Sequence, residues 1–161
     1  METVSHEQTR VHKREMLLRI TTFGHRNGPL APAPDLLFDI RPLPNPPKDL
    51  RTEARRTGQL IHMQDWLFAL PSVRQLFTDI TSQIYCRLRQ AEDNGLNIVH
   101  VGLGCNLGRN RSVTIAEALA TLDWNEWRVE VLHRDRCLPH AGKESPLTAI
   151  SPSRTRLFFK H

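Results

Sequence analysis

Apolar residues occur along this chain in short runs separated by proline and glycine, and the period of each run predicts its element. Met16 to Phe23 (MLLRITTF) reads as a strand stopping at Gly24, and Leu36 to Arg41 (LLFDIR) as a second one stopped by Pro42. Leu60, Met63, Leu67 and Leu70 recur at helical spacing, with Trp66 beside them and Pro71 as the terminator. Val73, Leu76, Phe77, Ile80, Ile84, Leu88 and Ala91 then trace one face of a longer helix. Ser72 with Gln75 offers that helix a capping box, and Gly95 a left-handed C-cap. Ile98, Val99, Val101 and Leu103 form a buried-strand run, which enters a glycine-punctuated turn from Gly102 to Gly108. A helix reopens at Arg111 to Ser112 and runs to Leu122, with Val113, Ala116, Leu119 and Ala120 facing inward. Trp127, Val129 and Val131 alternate with Arg128 and Glu130, the pattern of a half-buried edge strand.

Strands alternating with helices predict an α/β fold: a mainly parallel sheet of about four strands with helices packed on its faces, in a single domain. The expected domain is 16–136, preceded by a mobile polar arm (1–15) and followed by a Pro/Ser-rich, poorly ordered tail (137–161). Between the second strand and the short helix, PLPNPPKDLRTEARRTGQ (42–59) reads as a long basic excursion, either plain surface or a wall of a ligand site. In parallel sheets ligands collect beyond the carboxyl ends of the strands. Gly24, Arg41 and Cys105, each following a strand, are therefore expected at one edge.

Composition narrows the class. The 161 residues carry 22 Lys and Arg against 17 acids, a formal net charge of +5, which favours polyanionic partners without requiring them. With one Tyr, three Trp and six Phe, a base-stacking platform for single strands is not expected. No apolar run approaches the roughly 18 residues of a membrane span, and no apolar segment follows the N-terminal charges. No membrane partner and no secretory signal are expected, and the expected location is cytoplasmic. Cys86, Cys105 and Cys137 lack metal-ligand spacing, so no metal and no cofactor are expected.

The stretch that carries chemistry is Cys105 to Ser112 (CNLGRNRS). A strand, a glycine turn and a helix N-terminus make an anion site. The first helical N–H groups have no partner inside the helix, and the macrodipole favours negative charge there. Arg109 and Arg111 add guanidinium groups that match a phosphate. Read literally, Cys105, Arg111 and Ser112 also give C-x5-R-S, the spacing of cysteine-dependent phosphatases, with Asp39 as the nearest candidate for a general acid. Gly104 stands where those enzymes use histidine, and the reading preferred for Cys105 is a buried, unreactive core residue. A Walker A loop is absent, so P-loop nucleotide hydrolysis is not expected. His133 and Arg134, at the end of the last strand, either join the anion site or lie on the surface.

Five segments in order carry a resemblance: FGHRNGP (Phe23 to Pro29), DLLFDIRPLPNP (Asp35 to Pro46), RRTG (Arg55 to Gly58), GCNLGRNRSV (Gly104 to Val113) followed by AEALA, and HRD (His133 to Asp135). They resemble the C-terminal domain of the RapZ family, bacterial adapter proteins for RNase E. The resemblance implies a sensor and adapter rather than a catalyst. It implies a domain that binds small regulatory RNA and the amino-sugar phosphate glucosamine-6-phosphate and that self-associates as a homo-oligomer. Asp39, Arg41, Asn45, Gly108, Arg111 and Ser112 keep the family pattern. Asn106-Leu107 replaces Thr-Gly, Asn110 replaces His, and Pro47 stands where His or Tyr is usual. Leu107 is expected to be costly if its position needs positive φ.

Together these readings predict a non-enzymatic domain binding a phosphorylated small molecule, RNA, or both, with a cysteine phosphatase as the alternative. The expected ligand-binding residues are Asp39, Arg41, Asn45, Cys105, Asn106, Gly108, Arg109, Asn110, Arg111, Ser112, His133 and Arg134. Arg51, Arg55 and Arg56 are the expected RNA contacts.

Overall fold

In the computed structural model, which describes residues 14–136, the buried runs assemble into one four-stranded parallel sheet. The expected arm, apart from Arg14 and Glu15, lies outside the described residues. So do the tail, Cys137 and the terminal RLFFKH. The strands are β1 (Met16–Gly24), β2 (Leu36–Asp39), β3 (Ile98–Cys105) and β4 (Trp127–His133), in the order β2-β3-β1-β4. β1 and β3 are central, which explains their near-continuous burial, and β4 is the edge strand its alternation predicts. β2 stops two residues short of the expected Arg41, because the chain enters a turn closed by Leu43 N donating to Ile40 O.

One face of the sheet carries Leu18, Ile20, Val99, Val101, Leu103, Val129 and Val131, all buried in a single core. The helices α3 (Pro71–Asp93) and α4 (Arg111–Ala120) contact the strands, and α2 (Ile61–Phe68) packs against both helices. α3 contributes Val73, Ile80, Ile84, Leu88 and Ala91 to this core, as its apolar stripe predicts. Each fully buried Leu, Ile or Val is worth about 1.5–3 kcal/mol, so this layer holds the molecule together. The other face is polar at mid-strand: Arg19 Nε donates to Glu130 Oε2 at 2.7 Å, and Thr21 Oγ1 pairs with His100 Nε2 at 2.8 Å. Among the described residues no helix is long and apolar enough to cross a membrane.

Three local expectations need correction. The stretch 42–59 is not a continuous irregular excursion, because Lys48–Thr57 forms a helix, α1. Its apolar positions are only Leu50 and Ala54, and Ala54 is the one residue it buries, so no apolar run marks it. Its Lys, Glu, Ala, Leu and Arg content nonetheless favours helix once the prolines are passed. The capping box at Ser72 does not form: the N-cap is Leu70, Pro71 takes the first helical turn, and Gln75 Nε2 donates to Asp79 Oδ1. The last helix ends at Ala120 rather than Leu122. At the far end of α3 the reading holds. Gly95 is left-handed (φ +69), and Gly95 N and Leu96 N donate to Glu92 O and Ala91 O, closing a Schellman motif.

Register brings the strand ends together. Gly24 pairs with Cys105, Asp39 with Gly104 and Thr22 with His133, so the candidate residues of four strands share the carboxyl edge.

Candidate functional site

The loop from Cys105 to Asn110 begins where β3 ends and folds back over the end of β1. Contact between the two backbones is close enough to demand glycine on both sides. A Cβ on Gly24 would lie 2.4 Å from Leu107 C, and one on Gly108 would lie 2.5 Å from Gly24 N. Gly108 also takes φ +70, so it is this glycine, and not the position of Leu107, that needs left-handed backbone.

Under the loop, Cys105 is 3% exposed. Its Sγ accepts the Gly108 N–H at 3.2 Å and lies 3.1 Å from Ser112 Oγ. Two groups of the expected cup therefore turn inward to the sulfur. α4 begins at Arg111 with Asn110 as N-cap, and the Asn110 side chain makes no capping bond. The first backbone bond of the helix runs from Thr114 N to Asn110 O, which places the N–H groups of Arg111, Ser112 and Val113 in the opening turn.

The arginines divide by role. Arg111 is 7% exposed, and its Nη1 donates to Arg41 O at 2.8 Å and Leu43 O at 2.7 Å, tying the start of α4 to the chain after β2. Arg134 gathers the carbonyls of Asn27, Gly28 and Pro29 and is bidentate to Asp135, with its guanidinium 5.4 Å from the centre of the Phe23 ring. Asp135, 2% exposed, accepts the Gly24 N–H at 2.7 Å. Burial alone would raise its pKa, but Arg134, Gly24 and Asn27 outweigh this and hold the carboxyl below its usual range. Both ring nitrogens of His133 are engaged, Nδ1 with Thr22 Oγ1 and Nε2 with Glu117 Oε1. The HRD segment thus props up the 24–29 turn and, through Glu117, holds α4.

Asp39 and Arg41 stand at the rim. Arg41 Nε and Nη2 form a fork onto Asp39, whose Oδ1 also accepts the Arg41 N–H. These hydrogen bonds hold the Asp39 carboxyl below its ordinary range, an ionised state that cannot hand over a proton. Asn45 is exposed, as is Asn106, while Arg109 and Asn110 are half-buried in the loop. Arg51, Arg55 and Arg56 share α1 with the acids Asp49 and Glu53, and a shallow depression of about 600 Å³ is lined by Lys48, Asp49, Thr52, Glu53 and Arg56.

Gly24 lies at this edge beside Cys105, as expected, but sequence reasoning missed His25 and Asp135 as parts of it. FGHRNGP and HRD were visible as segments, but nothing in either says that one holds the other. Among the described residues no cluster of His, Cys, Asp or Glu could hold a metal ion.

The model for the RapZ C-terminal domain matches residues 16–137. A nucleotide-binding protein of Paraburkholderia phymatum is 39% identical over 120 residues, covering 74% of this chain and 40% of its own length. A nucleotide-binding protein of Thermosipho africanus is 33% identical over 125 residues, 76% of this chain and 43% of its own. One from Finegoldia magna is 30% identical over 123 residues, 76% and 42% respectively. The chain therefore spans about two fifths of the length of the relatives it matches.

Proposed function

The chain belongs to the RapZ C-terminal domain family, and from that premise we propose that it is a non-enzymatic binding and adapter domain with an oxyanion site at Asn106 to Ser112. The ligand is a phosphorylated small molecule, with an amino-sugar phosphate among the candidates. It acts in the cytoplasm, with RNA and a second copy of the chain as further partners.

The observation that supports this most is the opening turn of α4. It meets the carboxyl end of a central strand, between Arg109 and Arg111, and its N-cap Asn110 makes no side-chain capping bond. An oxyanion accepting those N–H groups gains about 0.3–1 kcal/mol from the macrodipole, and up to about 2 in a partly buried setting. Arg111 contributes its charge from a fixed position, because the carbonyls of Arg41 and Leu43 hold it. The names of the relatives, nucleotide-binding proteins, fit a site for a phosphorylated ligand.

The test is an amide-resolved NMR titration with inorganic phosphate and with hexose and hexosamine phosphates. Saturable shifts centred on residues 106–113 support the site, and shifts that avoid this loop, or none, overturn it.

Cys105 keeps a second reading alive, because its sulfur accepts the Gly108 N–H and lies 3.1 Å from Ser112 Oγ, in the loop that leads from β3 into α4. Turnover of an aryl phosphate that Cys105→Ser abolishes would establish the phosphatase. An ionised Asp39 is the wrong state for its general acid.

A further inference from the structure

The carboxylate of Asp39 stands between an arginine and a histidine and is bonded to the first. On one side is the Arg41 fork, with Nη2 to Oδ2 at 2.8 Å and Nε to Oδ1 at 2.9 Å. On the other side is His25, from the turn after β1. Its Nε2 lies 3.6 Å from Asp39 Oδ1, in ion-pair range but beyond a hydrogen bond. The His25 ring lies across Gly104, where a Cβ would be 2.5 Å from Nε2, and is tilted against Phe23 with centroids 4.9 Å apart. Its Nε2 is buried and makes no hydrogen bond among the described residues. A buried nitrogen without a partner is unfavourable, so its position beside a carboxylate asks for a reason.

Resting on the anion site proposed above, we infer that Asp39 is a latch on Arg41. The carboxylate holds the guanidinium at the rim, a phosphate dianion in the loop draws the guanidinium away, and Asp39 then turns to His25. Three features make the exchange feasible. The Arg41 and Asp39 side chains are 47% and 44% exposed, so the ion pair is open to solvent and cheap to break. The Arg41 carbonyl is fixed by Arg111, so the backbone stays at the rim while the side chain moves. The Nε2–H tautomer of His25 can donate to Oδ1 after a displacement of less than about 1 Å, the gap between 3.6 Å and hydrogen-bond range. His25 becomes a positioning residue that stabilises the bound state, and Asp39 sets selectivity, because a weak anion cannot outcompete a bidentate carboxylate.

Calorimetric titration of the full chain with inorganic phosphate tests this. Asp39→Asn keeps an oxygen to accept the Arg41 N–H but removes the competing charge. It should tighten binding by up to about fivefold, the equilibrium weight of an exposed ion pair. In an Arg41→Gln background the same change should do nothing. His25→Ala should weaken binding in the wild-type background and leave the Asp39→Asn protein unaffected. The latch is overturned if wild type binds phosphate and Asp39→Asn binds equally or less well. It is also overturned if the gain persists in Arg41→Gln, which would be plain charge removal. Absence of binding by wild type would remove the anion site itself and the latch with it.

Discussion

Gly58 at the end of α1 and Gly108 in the loop before α4 have almost the same backbone, φ +71 and φ +70, yet they sit in opposite surroundings. A Cβ at Gly58 would meet nothing within 4 Å, whereas one at Gly108 would collide with the Gly24 backbone at 2.5 Å. The same contrast runs through the two regions. At the carboxyl edge several polar groups are engaged: Arg111 with two carbonyls, Arg134 with four more, Asp135 with a backbone N–H. α1 buries Ala54 alone and holds Arg55 and Arg56 out in solvent. Counting positive charges therefore misjudges both regions, because the edge uses Arg111 and Arg134 as fixed struts and α1 leaves Arg55 and Arg56 in solvent.

The largest expected effect separates the two glycines. Gly58→Ala should cost about 1 kcal/mol, the price of a left-handed alanine in open space. Gly108→Ala combines that strain with a backbone collision and should cost at least about 3 kcal/mol in urea unfolding. Equal costs would mean that the loop does not rest on β1 as described.

Next in size are the arginines. Arg111→Ala removes a charged donor from two carbonyls and should cost about 2–3 kcal/mol, whereas Arg55→Ala should stay within about 0.5 kcal/mol. Thermal unfolding of the pair checks this, and a mild Arg111→Ala would show that the 41–43 segment is not held by that side chain.

Asp135 gives a smaller effect with a pH signature. Its pKa is lowered in the folded state, so the stabilisation is present above the unfolded value, near 3.8, and is lost as pH falls through the folded one. Asp135→Asn should therefore destabilise at neutral pH by about 1–2 kcal/mol and differ progressively less from wild type as the solution becomes acidic. A constant difference across that range would mean that the carboxylate charge does not matter.

What the sequence made legible follows the same division. β1, β3, β4, α3 and α4 could be read because burial imposes a period, as with Ile80, Ile84 and Leu88 on α3 or Val129 and Val131 on β4. α1 was hidden because its sequence offers only Leu50 and Ala54 as apolar positions, too few to trace a stripe. The site was half legible. The strand–turn–helix order points to an anion cup, but whether Arg111 faces a ligand or the carbonyls of Arg41 and Leu43 depends on a contact 68–70 residues away. His25 was hidden for a related reason: its meeting with Asp39 is made by strand register across β3, which no local pattern encodes.

The smallest effect on stability carries the sharpest test of α1. If Arg55 and Arg56 meet RNA phosphates, Arg55→Gln with Arg56→Gln should leave the unfolding curve within about 0.5 kcal/mol of wild type, because solvated side chains leave no cavity or orphaned partner. Binding should change in a specific way. Each lost phosphate contact lowers the slope of log K against log salt by about 0.7 for a single strand and about 0.9 for a duplex, so the double change should flatten it by about 1.4–1.8. Asp49 and Glu53 on the same helix work against this, since their charges repel the same backbone. Asp49→Asn with Glu53→Gln should therefore strengthen binding in the same assay. If both double variants leave the slope and the affinity where wild type has them, the nucleic acid does not lie along α1.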